Sequence, residues 1–207
     1  MGSRRISMAL SYRIVLELNN PAMVCWNGVM HSLIGVDELA ERLDHVAVYD
    51  IRWALTDPNH GRETYRVGHV PGAVFVDLDT ELSAPPGPGR HPLPSLQEWE
   101  ATLGRLGVTP ETEVVVYDDA GGAVAARMWW MLRSIGHESS RLLDGGYQAW
   151  VAAGHRVETG MNAPKPTSYA AAHDFTGVAN RHELEGRTLV DVRAPERYRG
   201  DIEPVDP

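Results

Sequence analysis

From Leu33 onward, apolar residues recur in short blocks whose period changes from one block to the next. In residues 35–43 they fall at helical intervals, with Asp37 available as a cap. Residues 46–51 and 72–76 are short apolar runs that suit buried strands. Residues 82–94, dense in Pro and Gly, predict an irregular surface loop. Ser95 predicts the cap of a helix that carries Leu96, Trp99, Leu103 and Leu106 on one face and closes at Gly107. Val114-Val115-Val116-Tyr117 is a continuous apolar run, the pattern of a central parallel strand covered on both faces. It ends in Asp118-Asp119-Ala120-Gly121-Gly122, and a helix follows from about Ala123 through Trp129 and Trp130 to Gly136. Residues 140–144 read as the next strand, Gly145-Gly146 as a turn, and Tyr147 to Trp150 as the start of a short helix. Strands alternating with helices predict an α/β domain over residues 33–155, with a central, mainly parallel sheet flanked by helices.

The pattern then restarts. Residues 156–170, with Pro164 and Pro166, read as a linker. Beyond it, Leu189-Val190-Asp191-Val192-Arg193 echoes the strand that ends in Tyr49-Asp50-Ile51-Arg52, and Arg197-Tyr198-Arg199-Gly200 echoes Tyr65-Arg66-Val67-Gly68. Residues 171–207 therefore read as the beginning of a second, incomplete copy. The sequence reaches Pro207 before any counterpart of His69-Val70-Pro71-Gly72-Ala73, which predicts a truncated second domain. Residues 1–32 read as a poorly ordered leader. Arg4-Arg5 ahead of an apolar stretch is only faintly like a signal peptide, because Arg13 and Glu17 interrupt it and no small-residue cleavage site follows. A cytoplasmic protein is expected.

Taken in order, these segments resemble the tandem-domain rhodaneses, the thiosulfate and 3-mercaptopyruvate sulfurtransferases. The carrying residues are Asp50-Ile51-Arg52, Gly68-His69-Val70-Pro71-Gly72-Ala73, Val114 to Asp118, Ala126-Arg127-Met128-Trp129-Trp130, Leu143 to Trp150, and, in the second copy, Leu189 to Ala194 with Arg197-Tyr198. The resemblance spans nearly everything after Leu33. It implies a two-domain enzyme in which only the C-terminal domain is catalytic, through a loop cysteine that carries sulfur as a persulfide. Backbone N–H groups of a tight loop at a helix N-terminus would cradle that anion and lower the thiol pKa. The thiolate would take sulfur from a small anionic donor and pass it to a thiol or cyanide acceptor, with no cofactor or metal implied.

The first-domain counterpart of that cysteine is Asp118, a carboxylate that cannot form a persulfide, and the second-domain counterpart falls beyond Pro207. No catalytic residue is therefore expected within this chain. The resemblance carries Arg197 over as a substrate-binding residue, since parallel guanidinium N–H donors suit a carboxylate or sulfonate-like donor. Arg193 is a second candidate, with pairing to a nearby carboxylate as its alternative.

Composition narrows the rest. The 207 residues carry 43% hydrophobic and 23% charged side chains and a formal charge of −9. That balance excludes a phosphate-neutralising nucleic-acid groove, and no uncharged apolar run reaches the roughly 20 residues of a membrane span. The one cysteine, Cys25, excludes a disulfide framework and reads as an apolar filler, not a nucleophile. The nine histidines show no ligand spacing, and His69 suits a turn-fixing hydrogen bond. Asp118-Asp119 lacks the second carboxylate of an aspartyl phosphotransferase, because Ala120 stands there, so a helix-capping or interface role is expected. Trp129 and Trp130 are expected to pack between helix and sheet or between domains. The alternative to a sulfurtransferase is a non-catalytic rhodanese-like interaction or regulatory module.

Overall fold

The computed structural model describes residues 32–87 and 90–202. Residues 1–31 of the leader, including Cys25, residues 88 and 89, and the last five residues lie outside the described residues. Strands β1 (Leu33–Ile34), β2 (Ala47–Asp50), β3 (Val74–Phe75), β4 (Val114–Tyr117) and β5 (Ser140–Leu143) form a five-stranded sheet in the order β1-β5-β4-β2-β3. Every pairing is parallel, so each connection must cross over a face of the sheet.

β4 lies in the middle and is buried along its whole length, as its unbroken Val-Val-Val-Tyr run requires. Its side chains divide the core in two. Val114 and Val116, with Tyr49 from β2, face Trp99 and Leu103 of α3 (Leu96–Arg105) and Met128, Met131 and Leu132 of α4 (Ala125–Ser134). Val115 and Tyr117, with Val48, face Leu39 of α1 (Val36–Arg42), Tyr65 of α2 (His60–Val67) and Trp150 of α5 (Gly146–Ala152).

The predicted cap of α3 is a full capping box. Ser95 Oγ accepts from Glu98 N at 3.3 Å while Glu98 Oε2 accepts from Ser95 N at 2.8 Å. At α1 the expectation is corrected: Gly35 occupies the cap position, and Asp37 sits in the first turn with its carboxylate 2.9 Å from His155. Within residues 33–155, two elements have no counterpart in the sequence reading, the two-residue β1 and the polar helix α2.

The segment after α5 is extended but tightly held. Its residue Glu158 exchanges two backbone hydrogen bonds of 2.9 Å with His69, and Thr167 N donates to Gly104 O at 2.8 Å. Tyr169, Ala171 and Phe175 pack on the α3–α4 face of the core, where Phe175 stacks on Trp130. Residues 156–170, read as a linker, are thus an arm wrapped on the sheet domain, and the arm continues through residues read as the start of a second copy to Thr176, whose N donates to Ser134 O. Beyond it come a 3-10 turn at Arg181–Glu183 and the short helix α6 (Pro195–Arg199). Leu189, Val190 and Val192, the echo of β2, are exposed and belong to no sheet among the described residues. A strand covered on both faces needs neighbours, and none is described there. No described helix is long and apolar enough to cross a membrane.

Candidate functional site

In a parallel sheet, loops that leave the C-terminal strand ends gather side chains from several connections. Here β4 delivers Asp118, which is fully buried. Its carboxylate is surrounded by the loop that follows. Oδ1 accepts from Ala120 N (2.9 Å) and Gly122 N (2.8 Å), and Oδ2 from Val124 N and Ala125 N (both 2.7 Å). Gly122 sits at φ +88°, a conformation that turns its N–H inward and that residues with a Cβ rarely adopt. The last of these donors opens α4, so the helix dipole also favours a negative charge here. The loop forms a four-donor anion cradle, and the anion in it is the protein's own side chain.

Neighbouring elements brace the cradle. Asp118 O accepts from Tyr147 N at 2.9 Å, and a Cβ at Gly146 would lie 2.4 Å from that oxygen, so only glycine lets α5 approach so closely. His60 at the start of α2 lies 3.0 Å from Asp119 Oδ2. Beneath, Asp50 and Arg52 form a buried pair: Arg52 Nη2 is 2.6 Å from Asp50 Oδ2, and Arg52 Nε is 3.0 Å from both carboxylate oxygens. Arg52 also donates to Gly68 O and lies over the Tyr147 ring, 4.2 Å from its centroid. Tyr117 OH donates to Asp50 at 2.7 Å. Burial works against the Arg52 charge, but Asp50 outweighs it and the guanidinium pKa rises. Burial, reinforced by the Asp50 charge, pushes the Tyr117 phenol well above its ordinary range.

Beside the cradle opens a pocket of about 390 Å³ lined by Trp53, Leu78, Arg90, His91, Val124 and Arg127 among others. It holds a feature that sequence reasoning missed. His91 Nε2 lies 2.7 Å from Asp79 Oδ1, while Trp53 Nε1 donates to Asp79 Oδ2 at 2.9 Å. The carboxylate fixes the imidazole, the arrangement that lets a histidine hold or move a proton in one orientation. Twelve positions and a Pro- and Gly-rich loop separate the two residues, and only His directly before Pro within such a loop hints at a special role.

The remaining sequence candidates lie elsewhere. Arg193 Nε contacts both oxygens of Asp191 (3.0 and 2.9 Å), Nη2 lies 2.7 Å from Oδ2, and Arg193 N donates to Oδ1 at 2.9 Å. These are the contacts of Asp50–Arg52 repeated one for one. Arg193 pulls the Asp191 pKa down, with a smaller contribution from Arg197 on α6. His69 is buried, with Nδ1 2.8 Å from Tyr65 O and its ring stacked on Tyr65. No group of three or more His, Cys, Asp or Glu side chains is placed to hold a metal among the described residues.

The sequence profile of the Rhodanese-like domain family matches residues 35–153, from α1 through α5 and including the cradle. The chain belongs to this family. Among rhodanese relatives it is 45% identical to SseB of Mycobacterium tuberculosis, which carries the provisional name thiosulfate sulfurtransferase, over 84% of this chain and 65% of that one. It is 37% identical to the 3-mercaptopyruvate sulfurtransferase of Homo sapiens, over 76% of this chain and 56% of that one. The structure of 3-mercaptopyruvate sulfurtransferase from Leishmania major superposes with a TM-score of 0.74 at 30% identity, covering 81% of this chain and 48% of that one. The chain thus spans roughly half to two thirds of the length of these rhodanese relatives.

Proposed function

We propose that this rhodanese-like chain supplies the N-terminal half of a sulfurtransferase of the thiosulfate/3-mercaptopyruvate type. That enzyme moves sulfane sulfur from a small anionic donor to a thiol or cyanide through a cysteine persulfide. The observation that carries the reading is the filled cradle. The first domain builds the anion-binding loop but occupies it with the Asp118 carboxylate, which supports placing the persulfide on another copy of the loop. The repeated Asp-x-Arg clamp supports the reading of residues 171–207 as the beginning of a second copy whose cysteine loop would lie further along. In this reading Arg197 contacts the donor and Arg193, engaged by Asp191, holds the segment that presents it. The pocket beside the cradle, with Arg90 and the His91–Asp79 dyad, is the part of the donor site contributed by the first domain. One cysteine in 207 residues suits a reducing compartment, the cytoplasm.

The test is thiocyanate formation from thiosulfate and from mercaptopyruvate by the purified chain. No turnover is expected from the chain alone. Turnover that survives Cys25→Ser would overturn this account of the nucleophile, and turnover abolished by Cys25→Ser would move the chemistry to Cys25. The filled cradle also suits a second reading, a non-catalytic interaction module, under which a chain extended to include the second copy would still never take up labelled sulfane sulfur.

A further inference from the structure

We propose that Arg127 is a positioning residue that sets the His91–Asp79 dyad from a distance. The inference rests on reading the pocket as part of the donor site. Arg127 lines the same pocket, and a cation there invites the simpler idea that it grips the anionic donor itself. Its hydrogen bonds point elsewhere. Nε donates to Leu82 O at 3.0 Å, and Nη2 is shared among Leu82 O (2.9 Å), His91 O (2.8 Å) and Pro92 O (3.3 Å). Nε and Nη2 are thus spent on carbonyls from the two ends of the Pro- and Gly-rich loop, which Ala84 N also ties together through Pro92 O at 2.9 Å.

The consequence falls on His91. It is the one non-glycine residue at positive φ among the described residues, at +51°. Such a backbone persists where the surroundings over-determine it. Arg127 holds the carbonyls of His91 and of the next residue, so it fixes the peptide that follows the strained position. On this backbone the ring lies edge-on to Trp53, 5.3 Å away, with Nε2 on Asp79. Asp79 is held independently by the turn in which its N donates to Asp77 Oδ1 at 3.0 Å. The anchor itself sits on α4, whose first N–H is capped by Asp118. One rigid helix therefore carries the cradle at its start and the dyad's support two residues later.

The measurement is the imidazole and indole nitrogen spectrum of the isotopically labelled full chain, with Asp79→Asn as the reference for a broken dyad. Arg127→Gln, and Arg127→Lys, which keeps the charge but lacks the fork, are both expected to lose the His91–Asp79 hydrogen-bond signature as Asp79→Asn does. The amide signals of α3 and β4 should stay in place. Retention of the signature in either folded variant overturns the proposal. Should neither variant fold, the unaltered chain decides. Through-bond couplings from the Arg127 guanidinium to the carbonyl carbons of residues 82 and 91 support the assignment, and their absence overturns it. Titrating the unaltered chain with thiosulfate and mercaptopyruvate tests the pocket separately: unmoved pocket signals would refute the donor-site reading and leave the positioning result standing.

Discussion

Asp118→Asn is the sharpest single perturbation of this fold. The substitution keeps the shape of the side chain but leaves only one oxygen, so one pair of N–H donors, on either Ala120 and Gly122 or Val124 and Ala125, faces an NH₂ group. A buried donor stripped of its acceptor costs about 1–3 kcal/mol, so the pair costs about 2–6 kcal/mol. Lost attraction between the charge and the α4 dipole adds about 0.3–1 kcal/mol. With an m-value of about 2 kcal/mol per molar urea, the midpoint should fall by about 1.2–3.5 M while the slope stays constant. The assay is urea unfolding followed by tryptophan fluorescence and circular dichroism, whose coincidence checks two-state behaviour. A midpoint within about 0.3 M of the unaltered chain would refute the argument, because it would mean that the loop does not depend on its internal anion.

Other expectations follow from neighbouring features. Asp118→Cys in a Cys25→Ser background places a thiol among the same buried donors, so its ultraviolet thiolate absorbance should appear at a pH well below the ordinary pKa of ~8.5 of a free cysteine; ionisation at the ordinary value would deny the cradle its effect on the thiol. Arg52→Leu leaves Asp50 buried without its partner, and at about 3–5 kcal/mol should lower the melting temperature by roughly 6–20 °C. His137 is held below its ordinary pKa by burial, between Thr112 O and the Tyr169 hydroxyl. The folded state therefore binds its proton less readily than the unfolded chain, and the His137 contribution, complete above about pH 6.5, should be lost as pH falls through the folded pKa. His137→Gln should flatten the stability profile in that window, and an unchanged profile would show that the ring is not responsible.

What could be read from the sequence divides by the kind of signal. The Val-Val-Val-Tyr strand and the Ser95 helix announce themselves because burial on both faces and a capping box leave contiguous, local patterns. Helix α2 leaves almost none: His-Gly-Arg-Glu-Thr-Tyr-Arg-Val buries only Gly61 and Tyr65. The arm has no period to detect, since its contacts are single residues such as Thr167, Tyr169 and Phe175, each dropping into a separate gap. At the site, the place of Asp118 could be read from the strand that precedes it, but its enclosure by four N–H groups could not, because the loop's backbone conformation decides that. The His91–Asp79 contact depends on how a Pro- and Gly-rich loop folds back, which no alternation of apolar and polar residues encodes.

The carboxylate in the cradle is tethered to the loop that binds it. A tethered ligand competes at an effective concentration set by geometry, commonly millimolar for a floppy connection and far higher for a short, rigid one. Dissolved sulfate, phosphate or thiosulfate at ordinary levels cannot match that, and none of them arrives with its ordering entropy already settled. This loop is therefore saturated from the moment the domain folds, and the loop itself is indifferent to the small anions around it. A loop that must release one anion and accept another at each turnover cannot be built this way, so under the proposed function the exchange would fall to a loop that carries no built-in carboxylate.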